Sequence, residues 1–101
     1  MRILFVTGSR GEWGYIRPIL RLIEKDAELD YDLCVTNMHL LPNFGSSEDE
    51  IIKDGFEIKH RVFMSLDSYN HVSQVKSLGI FLTSMADILA SNDYDFIMLA
   101  G

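Results

Sequence analysis

The sequence predicts an α/β fold built on a parallel, doubly wound, Rossmann-like sheet. Three observations carry this. Strand-like apolar runs alternate with helical patterns in the order β-α-β-α-β-α-β, the signature of parallel strands joined by crossovers. The first run, Ile3 to Thr7, is apolar or β-branched throughout, as in a strand covered on both faces. A glycine-rich stretch, Gly8 to Gly14, follows it and leads into a helix. A turn of that kind at the carboxyl end of a strand brings helix N–H groups and a positive dipole end to an anion.

Each element has its own justification. The first helix is expected from about Tyr15 to Lys25, with Ile16, Ile19, Leu20 and Ile23 on one face and Pro18 in the first turn, where its missing N–H costs nothing. Arg21 reads as a solvated position on that helix. A second strand, Leu33 to Asn37, is introduced by Asp30-Tyr31-Asp32. The stretch from Met38 to Ser46 is apolar for a loop, as befits a crevice lining. Ser47 and Glu50 have the spacing of a capping box for a short helix, Glu48 to Asp54, closed at Gly55. A third strand is placed at about Phe56 to His60, and residues 61–67 are ambiguous. From about Ser68 to Ala90, a stripe of Val72, Val75, Leu78, Gly79, Leu82, Met85, Ala86 and Leu89 predicts a long helix with a buried face. Gly79 within it hints at close packing. A second Asp-Tyr-Asp, at Asp93 to Asp95, looks like the same turn chemistry as the first and introduces a fourth strand, Phe96 to Ala100.

The expected strand order is 3-2-1-4, which puts the first strand in the centre and its following turn at the switch point. The fourth strand would then be an apolar edge. The sequence therefore reads as an incomplete N-terminal Rossmann-like domain, residues 1–101, of a longer chain.

Composition narrows the function. With 101 residues, 48% hydrophobic and 24% charged, the chain is one soluble globular domain at most. A net charge of −6 disfavours nucleic acid and anionic membrane as partners. Cys34 is the only cysteine; inside a strand it fits a reducing compartment. Met1 runs straight into a strand with no room for a signal peptide. A cytoplasmic protein is expected.

The loops after the first and second strands should bring Ser9, Arg10, Glu12, Trp13 and His39 into one neighbourhood. Arg10 can hold a phosphate with its guanidinium fork. Glu12 either orients Arg10, transfers protons, or is simply an acid favoured near a helix N-terminus. His39 either donates to phosphate, serves as acid or base, or is a loop histidine bonded to backbone. His60 and His71 are assigned to structure or solvent. The glycine spacing meets neither the dinucleotide fingerprint nor the P-loop. No metal-ligand spacing stands out, and no cofactor is expected. A phosphatase-type cysteine and a receiver-type acidic pair are both missing after the first strand, and no Ser-His-Asp set can be assembled.

Val6-Thr7-Gly8-Ser9-Arg10-Gly11-Glu12-Trp13-Gly14-Tyr15-Ile16-Arg17-Pro18 resembles the opening of the hydrolysing UDP-N-acetylglucosamine 2-epimerases of sialic-acid synthesis. The resemblance continues through Val35 to Leu40, Phe44-Gly45-Ser46, Ile52 to Ile58 and Tyr94 to Gly101. It implies two Rossmann-like domains in the GT-B arrangement with the active site between them, and conversion of UDP-GlcNAc and water to ManNAc and UDP through a glycal. It further implies that Arg10, Gly11 and Gly14 bind the UDP-sugar, and that Glu12 and His39 stand at the family's acidic and loop-histidine positions, the catalytic candidates. Gly11 stands for the usual Ala, Trp13 for Tyr, Tyr15 where many relatives carry Lys, and Asn37 for Gly. This part alone is expected to be inactive. The alternatives are a related epimerase of legionaminic-acid synthesis, a GT-B glycosyltransferase, or a stand-alone nucleotide-binding module whose edge strand is covered by a partner or by self-pairing in a homo-oligomer.

Overall fold

The computed structural model describes residues 1–40, 47–64 and 70–99. Strands β1 (Arg2–Thr7), β2 (Asp30–Thr36), β3 (His60–Val62) and β4 (Phe96–Leu99) form one sheet in the order β3-β2-β1-β4. All three pairings are parallel. The expected order and the central place of β1 are both realised. Val6 pairs with Cys34 on one side and Leu99 on the other. The junction after β1 lies where the connection reverses direction across the sheet.

Side-chain alternation along β1 divides the core. Ile3 and Phe5 face the layer formed by α1 (Arg10–Ile23) and α2 (Glu48–Lys53), together with Leu33 and Val35 of β2. Leu4 and Val6 face α3 (His71–Ser91) and pack with Cys34, Val62 and Met85. Helices thus cover both faces, and β1 needs apolar residues at successive positions for that reason. Leu4 and Phe5 are fully buried, each stabilising by about 1.5–3 kcal/mol.

Several boundaries depart from expectation. Helix α1 begins at Arg10, not Tyr15, because Ser9 caps it: its backbone is extended and its hydroxyl accepts the Glu12 N–H. The turn is therefore short, and Gly11 and Gly14 are helical. Trp13, Ile16, Leu20 and Ile23 form its buried stripe, while Ile19 is 40% exposed. Strand β2 begins at Asp30, so the first Asp-Tyr-Asp is strand, not turn. The two triads bond to each other, Tyr94 donating to Asp32 at 2.6 Å, and to other parts of the fold, Tyr31 donating to Glu24 at 2.8 Å and Asp95 accepting the Arg2 N–H. Strand β3 lies at His60–Val62 rather than from Phe56, because Phe56 is drawn into the α1–α2 core. Helix α2 is followed by Gly55 at φ 89°, where the left-handed backbone favours glycine.

Helix α3 is capped by Asn70, whose side chain accepts the Ser73 N–H; the expected start at Ser68 lies outside the described residues, as do Ala100 and Gly101. Its apolar stripe is not core as expected. Met85 is buried and Phe81 and Ile88 pack beside it, but Val72, Val75 and Leu82 are 64%, 71% and 59% exposed. The stripe spans a wider arc than the sheet face beneath it covers. No atom lies within 4 Å of where a Gly79 Cβ would stand, so the close packing expected there is absent among the described residues. Strand β4 is an exposed apolar edge, as expected.

Burial pushes the Cys34 thiol up to about 11 and raises both Tyr31 and Tyr94 above their ordinary value, helped by their carboxylate partners. The folded chain thus keeps these protons to higher pH than the unfolded chain. Their stabilisation is complete below the unfolded values and falls as pH rises. The urea midpoint is expected to drop from about pH 9 towards pH 11, the window set by Cys34; a flat midpoint over that range would contradict it.

Candidate functional site

The candidate site is the junction between β1 and α1. Thr7 ends the strand, Gly8 and Ser9 turn the chain, and the helix starts at Arg10. The turn is closed from both sides: the Ser9 hydroxyl accepts the Glu12 N–H at 3.3 Å, and the Glu12 carboxylate accepts the Gly8 N–H at 3.0 Å. The first intrahelical bond runs from Trp13 N–H to the Ser9 carbonyl. The N–H groups of Arg10 and Gly11 precede it and carry the positive end of the α1 dipole. Glycine at position 8 leaves room for the Glu12 carboxylate, which a side chain there would push aside by a few tenths of an ångström. A Cβ there would fall 3.0 Å from Glu12 Oε2 and 3.4 Å from Asn37 Cβ.

A crevice of about 260 Å³ opens beside this junction at the carboxyl ends of β1, β2 and β4. Gly8, Glu12, Thr36 and Asn37 form its polar side, with Met64 and Phe81 among its apolar walls. Larger hollows lie on the outer face of α3, by Lys76 and Ile80, and at the amino ends of the strands, by Arg2 and Asp32; neither includes the junction.

Four of the five residues expected in one neighbourhood meet there, since Ser9 bonds Glu12 and Ser9, Glu12 and Arg10 all act on His39, but their side chains take different directions. Glu12 lines the crevice. Arg10 turns to Glu50 of α2, at 2.9 Å, so Glu12 does not orient it. Trp13 points into the core and meets Phe56 edge-on, with ring centroids 4.9 Å apart. His39 is fully buried on a 3-10 turn, Asn37–Leu40. Its Nε2 lies 2.9 Å from the Thr7 hydroxyl and its Nδ1 2.7 Å from the Ser47 hydroxyl. Burial lowers its basicity, against a smaller opposing pull from Glu12. A bond to backbone, one of the alternatives for this residue, is present at Ser9, and each ring nitrogen has a hydroxyl partner besides. Gly11 lies in the first turn of α1, beside the dipole end, whereas Gly14 stands a turn further along.

Other assignments also change. Ser47 makes no side-chain cap bond, because its hydroxyl serves His39, and Glu50 serves Arg10; the capping box is not formed. Arg21 is not merely solvated: its guanidinium stacks 4.0 Å over the Phe56 ring and donates to the Asp54 carbonyl at 2.6 Å. His60 bonds the Tyr94 hydroxyl, in keeping with a structural role, and His71 is exposed at the start of α3. Residues 41–46, which carry most of the apolar loop and all of Phe44-Gly45-Ser46, lie outside the described residues. Among the described residues no acidic, histidine or cysteine cluster is placed to hold a metal ion. No helix among them is long and apolar enough to cross a membrane.

Sequence reasoning did not single out Thr7, Ser47 or Glu50 as parts of this site. Their signals are ordinary cap and turn residues, and only the approach of α2 to the junction gives them partners. Asn37 was noted as a departure, and its backbone explains it: φ is 55°, a region open to glycine and tolerated by asparagine. Asn37→Gly is therefore expected to leave the melting temperature within a few degrees, whereas Asn37→Val should cost about 1–3 kcal/mol; equal melting temperatures would exclude strain at this position.

The chain matches a family model described as UDP-N-acetylglucosamine 2-epimerase over residues 21–101. It is similar to polysialic acid biosynthesis protein P7 of Escherichia coli, 34% identical over 100 residues, covering 99% of this chain and 26% of that protein. It is similar over the same shares to the UDP-N,N'-diacetylbacillosamine 2-epimerase (hydrolyzing) of Legionella pneumophila, at 31% identity. Among solved structures it resembles the UDP-GlcNAc 2-epimerase of Neisseria meningitidis bound to UDP-GlcNAc, with a TM-score of 0.77 and 18% identity over 100% of this chain and 26% of that one. That likeness shows the fold. The chain spans about a quarter of the length of the relatives it matches.

Proposed function

This chain belongs to the UDP-N-acetylglucosamine 2-epimerase family, and from that premise we propose that it is the N-terminal, UDP-sugar-binding domain of a hydrolysing 2-epimerase in the two-domain GT-B arrangement. The reaction proposed is UDP-GlcNAc and water to ManNAc and UDP, in the cytoplasm, as a step towards sialic acid. The observation that carries the reading is the β1–α1 junction. It offers the Arg10 and Gly11 N–H groups, the α1 dipole and the Arg10 guanidinium at the carboxyl end of the central strand. The Arg10–Glu50 pair is exposed on both sides, so it contributes only about 0–1 kcal/mol, and a diphosphate can displace Glu50 at little cost. The reaction needs loss of the C2 proton and stabilisation of departing UDP. Glu12, at the crevice wall, is assigned the proton transfer, and Arg10 with the helix end the diphosphate. Gly14 has no direct part in this reading.

The crevice, at about 260 Å³, is smaller than the roughly 300–1,000 Å³ of pockets for drug-sized ligands. A second domain is proposed to hold the remainder of the nucleotide sugar. The full enzyme supplied with UDP-GlcNAc in deuterated water is expected to release UDP and give ManNAc carrying deuterium at C2. The 101 residues alone are expected to bind UDP without turnover; turnover by them would overturn the two-domain reading. UDP release that requires an acceptor sugar would make the protein a glycosyltransferase.

A second reading takes UDP-N,N'-diacetylbacillosamine as substrate. The similarity to the Legionella protein named for that sugar favours it. The same assay with that substrate decides between the two.

A further inference from the structure

The buried histidine joins three elements, and the direction of its hydrogen bonds can be assigned. The Thr7 hydroxyl lies 3.4 Å from the Ser9 carbonyl, to which it donates, so it is left to accept from His39 Nε2 at 2.9 Å. The Ser9 backbone also bonds the imidazole and raises its basicity, against the larger effect of burial. Nε2 therefore carries the proton, and Nδ1 accepts from the Ser47 hydroxyl at 2.7 Å. The chain of donors runs from Ser47 through His39 and Thr7 to Ser9, the cap of α1. Ser47 immediately precedes α2, which carries Glu50, the partner of Arg10. Both ring nitrogens are engaged, and the residue is fully buried.

We propose that His39 is a positioning residue and not a proton carrier: as its Nε2–H tautomer it ties Thr7 to Ser47, and so fixes the Thr7–Ser9 turn and the start of α2 on either side of Arg10. Its functional consequence rests on the reading of the β1–α1 junction as the diphosphate site. The charged groups that act on the ring are Glu12 and Glu48, which favour protonation, and Arg10, which opposes it; burial outweighs them.

The test compares His39→Gln with His39→Asn in the full enzyme. Glutamine places an amide N–H near Nε2 and keeps the donor to Thr7. Asparagine places a carbonyl near Nδ1 and keeps only the acceptor for Ser47. Nitrogen-15 spectra of the unaltered protein are expected to show His39 as the neutral Nε2–H tautomer below about pH 6.5, where an ordinary imidazole is charged. In His39→Gln the amide resonances of Arg10 and Gly11 should stay in place and UDP affinity within about threefold. In His39→Asn those resonances should move and UDP affinity should fall about tenfold, the scale of one lost buried hydrogen bond. The Nδ1–H tautomer or ordinary titration of the ring would overturn the proposal. So would loss of turnover in both variants with the Arg10 and Gly11 resonances and UDP affinity unchanged, the pattern of an acid or base. If the unaltered protein fails to bind UDP, the diphosphate reading falls, while the amide resonances still decide for or against positioning.

Discussion

Arg10→Ala is expected to weaken UDP binding by roughly 10- to 100-fold while leaving the melting temperature almost unchanged. The size follows from removing a charge-assisted contact to phosphate, about 1.5–3 kcal/mol. The indifference of stability follows from the exposure of both Arg10 and its partner Glu50, since an exposed pair contributes about 1 kcal/mol at most. Arg10→Lys keeps the charge but loses the planar fork, so it should fall between the two. Glu50→Gln removes the carboxylate that competes with phosphate and should tighten binding up to about fivefold, the same 1 kcal/mol read in the other direction. Calorimetric titration with UDP and thermal melting of the three variants give both quantities. Unchanged affinity in Arg10→Ala would remove the junction from consideration as the diphosphate site.

Trp13→Ala is expected to do the opposite: a loss of stability of about 3–5 kcal/mol, the usual cost of deleting a buried aromatic. For a domain of this size that lowers the melting temperature by well over 10 °C. Trp13 is 7% exposed and packs with Phe56, whose ring also carries the Arg21 guanidinium. The ring is a strut between α1 and the segment entering β3. Trp13→Phe keeps an aromatic in contact with Phe56 and should recover part of the loss. At a temperature where the variant remains folded, its UDP affinity is expected to match that of the unaltered protein. A variant of full stability with lost affinity would mean that the ring faces ligand and not core.

These two residues, three apart in one short motif, show what a sequence reading can and cannot separate. Arg10 and Trp13 both stand in the stretch that resembles the family's opening motif, and both were expected in the ligand's neighbourhood. The helix begins at Arg10 and not at Tyr15 because Ser9 caps it. Once it does, the helical period turns Trp13 inward with Ile16, Leu20 and Ile23. The helix boundary was thus the error from which the misplacement followed. A related shift moved β3, since Phe56 satisfies a strand pattern yet is held by Trp13 and Arg21 instead. The long stripe on α3 was legible as helix, but its burial was not. Periodicity states which residues share a face, and only the extent of the neighbouring sheet states how much of that face is covered.

The sequence by itself determined the alternation of strands and helices, the strand order, the central place of β1, and membership of the family. Those follow from local apolar pattern, from the few connections a parallel sheet allows, and from short motifs kept in order. Tertiary structure alone decided the partners: Glu50 for Arg10, Thr7 and Ser47 for His39, and Phe56 for Trp13. Apart from His39 and Ser47, eight apart, the partners are distant in the chain, and they meet when α2 and its flanking turns close over α1 and the end of β1. A hydroxyl, a carboxylate or a guanidinium has several chemically adequate partners in any sequence, and the packing of helices on the sheet selects among them.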